Sequence, residues 1–152
     1  MSKVVYKYIE EPREHSDAIE FMQKTLMPML NEYWAQRGKS MYGCDMSFNV
    51  LTFTQMWIMG SLLIIIAYED DKPVGFFIGV RFVPLLYNAT AVQAEVYYGR
   101  TREIQDGLFK YLMNIIGFMG INEIWISSEV PGDATVPWPK KHSFTVDRHV
   151  KA

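Results

Sequence analysis

Leu62-Leu63-Ile64-Ile65-Ile66-Ala67-Tyr68, then Glu69-Asp70-Asp71-Lys72, then Pro73-Val74-Gly75-Phe76 is the stretch whose reading decides the fold. A continuous apolar run of this length reads as a strand buried on both faces. The acidic tetrapeptide is a hairpin turn, and Pro73 opens the next strand, Val74–Val83. Pro84 and Asn88 mark a connection to a third strand, Ala89–Tyr98. Tyr98-Gly99-Arg100-Thr101-Arg102 then leads into a helix. Thr101 can cap it, and Ile104, Leu108, Tyr111, Leu112, Ile115 and Met119 mark its buried face. Gly117 and Gly120 end it, and Glu123–Ser127 is a short strand. A helix N-terminus carries open N–H groups and partial positive charge, so this junction is a candidate anion site. Arg100 and Arg102 beside it can grip phosphate bidentately.

Working outward, Val4–Ile9 alternates as a first strand, which Pro12 and polar residues end. Ser16 with Asp17 can cap a helix through Ile19, Met22, Leu26 and Leu30, ending near Tyr33, with a kink or break expected at Pro28. Ala35–Gly43 reads as a loop. Asp45 can cap a second helix with Phe48, Leu51, Met56 and Met59 as apolar positions. Pro131, Pro137 and Pro139 argue against helix in Ser128–Lys141, and Ser143–Val150 alternates as a last strand. The reading is one domain, 1–152, whose segment 128–152 is a proline-rich stretch plus that strand.

Hydrophobic residues make up 49% of the 152 and aromatics 14%, enough for a packed core. A net charge of -2 gives no bulk attraction for nucleic acid. Lone Cys44 excludes an internal disulfide and, with no histidine near it in sequence, reads as a packing or surface thiol; a reducing, cytoplasmic location is expected. The N-terminal residues do not read as a secretory signal. The uncharged stretch between Asp45 and Glu69 is interrupted by Asn49, Thr52, Thr54, Gln55 and Gly60-Ser61, so it reads as helix plus strand and not as a membrane span. His15, His142 and His149 show no metal spacing, and no Walker or dinucleotide glycine pattern occurs.

The element order, with Ile64-Ile65-Ile66-Ala67-Tyr68, the acidic turn and Lys72-Pro73-Val74-Gly75-Phe76, resembles the GNAT superfamily of N-acyltransferases. The resemblance implies an α+β, α/β/α-layered fold with a mixed, mostly antiparallel sheet flanked by helices. It also implies transfer of an acetyl group from acetyl-CoA to an amine by direct attack, without a metal. The family's pyrophosphate loop, Arg/Gln-x-x-Gly-x-Gly/Ala, falls on Arg102-Glu103-Ile104-Gln105-Asp106-Gly107, where Gln105 stands for the first glycine. Val96, Arg100, Thr101, Arg102, Gln105 and Gly107 are then the cofactor-binding candidates. A mid-helix Gly107 makes room either for a ligand or strand, or for helix-on-sheet packing.

By the same resemblance Glu95 is the base candidate, with an outward-facing carboxylate as the alternative, and Tyr97 and Tyr98 are candidate acids for the leaving thiolate. Tyr33, Trp34 and Tyr42, with Arg37 and Lys39, lie where the family shapes its acceptor pocket, or alternatively form a protein interface. Lys140, Lys141 and His142 are either a surface loop or a reach toward a CoA phosphate. The family's fourth helix has no counterpart in Ser128–Lys141. That departure supports a second expectation: a non-catalytic GNAT-fold assembly component, such as a viral particle or complex subunit, acting as a homo-oligomer or within a larger assembly.

Overall fold

The computed structural model describes residues 3–39, 43–128 and 140–145. Its centre is a six-stranded sheet in the order β1 (Val4–Tyr8), β2 (Leu62–Glu69), β3 (Lys72–Phe82), β4 (Ala91–Gly99), β5 (Glu123–Ser128) and β6 (Lys140–Thr145). All neighbours are antiparallel except β4 and β5, which run parallel. The crossover between those two is the helix α3, Arg102–Phe118, as a parallel pair requires. The first helix, α1, spans residues 15–38, and the second, α2, is Val50–Ile58.

The period-2 alternation of β2 builds two cores. Leu62, Ile64 and Ile66 face α1 and α2, where they meet Leu26, Leu30, Phe53 and Trp57. Leu63, Ile65 and Ala67 face α3, against Leu108, Leu112 and Ile116. The five residues Leu63–Ala67 are all at 0% exposure, which explains an unbroken apolar run in place of alternation. The β2–β3 hairpin closes through Asp70 and Asp71 at φ 51° and 62°, the left-handed pair whose twist matches the flanking strands. Thr101 Oγ1 accepts from the Ile104 N–H at 3.2 Å, so the expected cap on α3 is present.

Four expectations are corrected. Glu14, and not Ser16 or Asp17, is the N-cap of α1. The helix runs past Tyr33 through Gly38, where a loop was expected, by widening twice into π turns at Met22–Leu26 and Trp34–Gly38. Pro28 has no N–H for the carbonyl of Lys24 and its ring would crowd it; the first wide turn accommodates both without ending the helix. Gly38 ends nothing: the ring of Trp34 lies where its Cβ would be. Asn49, not Asp45, caps α2 by accepting from the Thr52 N–H at 3.1 Å, and Leu51 and Met59 are exposed while Phe53, Thr54 and Trp57 are buried. The last described strand starts at Lys140, three residues before the expected Ser143. No helix among the described residues is long and apolar enough to cross a membrane.

Candidate functional site

The site begins with an irregularity in β4. Ile78 of β3 pairs with Val96, but its neighbour Gly79 pairs with Ala94, so Glu95 is one residue too many. A bulge of this kind turns the strand and re-aims side chains. Before it, Val92 and Ala94 pack toward α3; after it, Val96 and Tyr98 pack toward α1. Glu95 and Val96, adjacent in sequence, therefore both line one cavity. Just before the bulge the described β4–β5 pairing also ends. The parallel pairing of β4 with β5 covers only Ala91–Gln93 against Glu123–Trp125, and beyond it β5 is paired with β6. Among the described residues, 94–99 of β4 have no β5 partner.

The cavity has a volume of about 740 Å³ and lies between this strand, α1 and α2. Its walls are mainly apolar: Leu30, Tyr33 and Trp34 from α1, Phe53 and Met56 from α2, Ile78 from β3. Glu95 is exposed, and no described residue hydrogen-bonds or ion-pairs with it. The segment 44–49 closes one side, held by the Trp34 indole N–H donating to the Cys44 carbonyl at 2.9 Å. Asp45 at the rim pairs with Lys39 at 3.6 Å.

The two arginines at the β4–α3 junction point apart. Arg100 forms a bidentate pair with Glu32 of α1, at 2.9 Å from Nη2 and 3.0 Å from Nε. Arg102 makes a 3.3 Å contact with Asp106 one turn on, and its side chain is 87% exposed, so it is the more accessible of the two arginines to a phosphate. Of the first-turn N–H groups, that of Ile104 is taken by Thr101 Oγ1 and that of Gln105 by the Thr101 carbonyl at 3.1 Å. Gly99 lies so close that a Cβ there would fall 2.6 Å from the Gln105 nitrogen. At Gly107, a Cβ would meet the Tyr6 hydroxyl from β1, so the space left by this glycine is filled by a strand side chain.

Tyr97 and Tyr98 face opposite sides of the sheet. The Tyr97 hydroxyl donates to the Gln105 carbonyl at 2.6 Å, away from the cavity, and burial followed by Asp106 pushes its pKa up to about 12. The buried Tyr98 donates to Glu32 at 2.8 Å, and burial with that carboxylate also pushes it up to about 12. Arg37 sits over the Tyr98 ring at 5.8 Å. Tyr42 lies outside the described residues.

Glu32 thus ties α1 to the β4–α3 junction. The Arg100 hydrogen bond, first among the causes, holds its pKa below the usual carboxylate value of 4.5. Because the folded-state pKa is depressed, the stabilisation is present above the unfolded value and lost as pH falls through the folded one. Glu32→Gln is expected to cost about 1 kcal/mol at neutral pH, discounted for the partly exposed partner. Urea titrations should show that gap closing as pH falls below the usual carboxylate range; an unchanged gap at low pH would discount the ion pair.

No protein-family model and no curated protein sequence matches the chain. Solved structures do. An aminoglycoside acetyltransferase from an uncultured soil metagenomic sample, in complex with sisomicin, superposes with a TM-score of 0.61 at 11% identity, covering 87% of this chain and 82% of its own. A ribosomal-protein-alanine N-acetyltransferase from Brucella melitensis biovar Abortus 2308 gives 0.57 at 19% identity, covering 86% and 84%. The chain has the GNAT acetyltransferase fold. A third GNAT structure, a predicted acetyltransferase with acetyl-CoA from Clostridium acetobutylicum, gives 0.55 at 14% identity, covering 86% and 84%.

Within this GNAT frame, the structure brings Glu95, Val96, Tyr33 and Trp34 together around one cavity. Arg102, Thr101, Gln105 and Gly107 lie on α3 or at its start, and Arg100 and Tyr98 join Glu32 instead of the cavity. Sequence reasoning missed Glu32, which lies 68 residues from its partner Arg100, and the wall residues Phe53 and Met56. Asn49 as an N-cap three residues before Thr52 is the signal that could have put α2 in register and Phe53 and Trp57 on its inner face.

Proposed function

We propose that the protein is an N-acyltransferase that passes an acetyl group from acetyl-CoA to an amine. The observation that supports this reading is the bulge at Glu95, which sets that residue in the cavity lining just past the end of the described β4–β5 pairing. The β4 edge around Val96 would hold the thioester arm through backbone hydrogen bonds. Arg102, at the open end of α3, would take phosphate. Gln105 and Gly107, packed against Gly99 and Tyr6, shape that first turn, and Thr101 fixes its start.

In the reaction the amine nitrogen bonds to the acetyl carbon and the carbon–sulfur bond breaks. The amine's proton passes to Glu95, directly or through one water, and the departing thiolate gains a proton from solvent. Tyr98 acts through Glu32 and Arg100, holding the β4 end against α1, while Tyr33 and Trp34 form the acceptor wall.

Acetyl-CoA at about 100 times its dissociation constant should add about 2.7 kcal/mol to folding. For a chain of this size that raises Tm by about 8 °C. Arg102→Ala is expected to weaken binding about tenfold. The absence of any shift at millimolar acetyl-CoA would overturn the proposal, and an unchanged affinity in Arg102→Ala would remove that residue from it.

A further inference from the structure

We infer that the acceptor is a hydrophobic primary amine: a cationic head on an aromatic or aliphatic body, and not a polyhydroxylated or anionic amine. The inference rests on the proposed acetyl transfer and names its second substrate. The cavity, at about 740 Å³, is within the range of small-molecule sites, roughly 300–1,000 Å³. Leu30, Trp34, Phe53, Met56 and Ile78 line it, so an incoming body finds aromatic and aliphatic contact and few partners for hydroxyl groups. Two of the polar groups in the wall are engaged elsewhere: Asn49 caps α2, and the Trp34 N–H bonds the Cys44 carbonyl; Ser47 and Thr52 lie at its exposed side.

Charge sorts the ligand further. Among the described residues the charged side chains in the lining are Asp45 and Glu95, both acidic. Asp45 is compensated by Lys39, whereas Glu95 has no described partner. An ammonium group entering the cavity supplies the missing counter-charge and is delivered to the carboxylate that must deprotonate it. A phosphorylated or carboxylated acceptor would place like charge beside Glu95.

Calorimetric titration with 2-phenylethylamine and its uncharged analogue 2-phenylethanol tests this at pH 7.5, with sisomicin as a polyhydroxylated competitor. The amine is expected to bind about tenfold tighter than the alcohol, and sisomicin not to displace it. In Glu95→Gln the two affinities should converge while that of the alcohol stays unchanged. Equal affinities in the wild type, no saturable binding of the amine, or displacement by sisomicin would overturn the inference. Acetyl-CoA binding without binding of 2-phenylethylamine would leave the acetyl-transfer reading standing and remove the acceptor class. The converse result would keep the ligand class and remove the donor.

Discussion

Gly99→Ala is expected to destabilise the protein by about 2–3 kcal/mol, a fall in Tm of about 6–9 °C. The new methyl group would lie 2.6 Å from the Gln105 nitrogen, 3.0 Å from its Cα and 3.1 Å from the Ile104 carbonyl carbon. All three are backbone atoms of the first turn of α3, held by the Thr101 cap, so none can swing aside. The strand end and the helix must separate, and Gly75 of β3 also lies against Gly99, a Cβ on it falling 3.2 Å from the Gly99 Cα. Gly107→Ala is the informative contrast. There the clash is with the far end of the Tyr6 side chain, and alanine regains about 1 kcal/mol of helix propensity. Thermal melts of the two variants side by side decide the matter: equal losses would mean that backbone proximity at the junction does not set the cost.

Glu95→Gln is expected to lower the rate of thiol release from acetyl-CoA by about 10²–10⁴-fold, with acetyl-CoA affinity within about twofold of wild type. The amide keeps the shape and length of the carboxylate but cannot accept the amine's proton at neutral pH. Because Glu95 is exposed and makes no described hydrogen bond, its loss should leave the melting temperature nearly unchanged. That separates a chemical effect from an unfolding one. Turnover within a few-fold of wild type would remove Glu95 as the base.

The β2–β3 hairpin and α3 were legible in the sequence because their signals are local. Apolar run, acidic turn, alternation and Thr101 cap all lie within a few residues of what they specify. The helix α1 was legible only in part. Pro28 and Gly38 normally announce a break, and here a wide turn and an indole ring absorb them. The Ile78/Gly79 register shift that isolates Glu95 leaves no mark in β4 alone, since a bulge is a relation between two strands. The same holds for Arg100. Beside a helix start it suggests a phosphate ligand, and only its approach to Glu32 shows the charge already matched.

The sequence by itself determined the layered α+β order of strands and helices, because hydrophobic period and turn chemistry act over short range. Through the resemblance to the GNAT superfamily it also pointed to Glu95, Tyr33 and Trp34 as residues to watch. The tertiary structure decided which of the candidates meet. The bulge sets Glu95 beside Val96 in the cavity lining, the described pairing of β4 with β5 ends at Gln93, Glu32 claims Arg100 and Tyr98, and Tyr6 fills the space at Gly107. Each of those outcomes depends on contacts between residues far apart in the chain, which chain order does not encode locally and packing alone brings together.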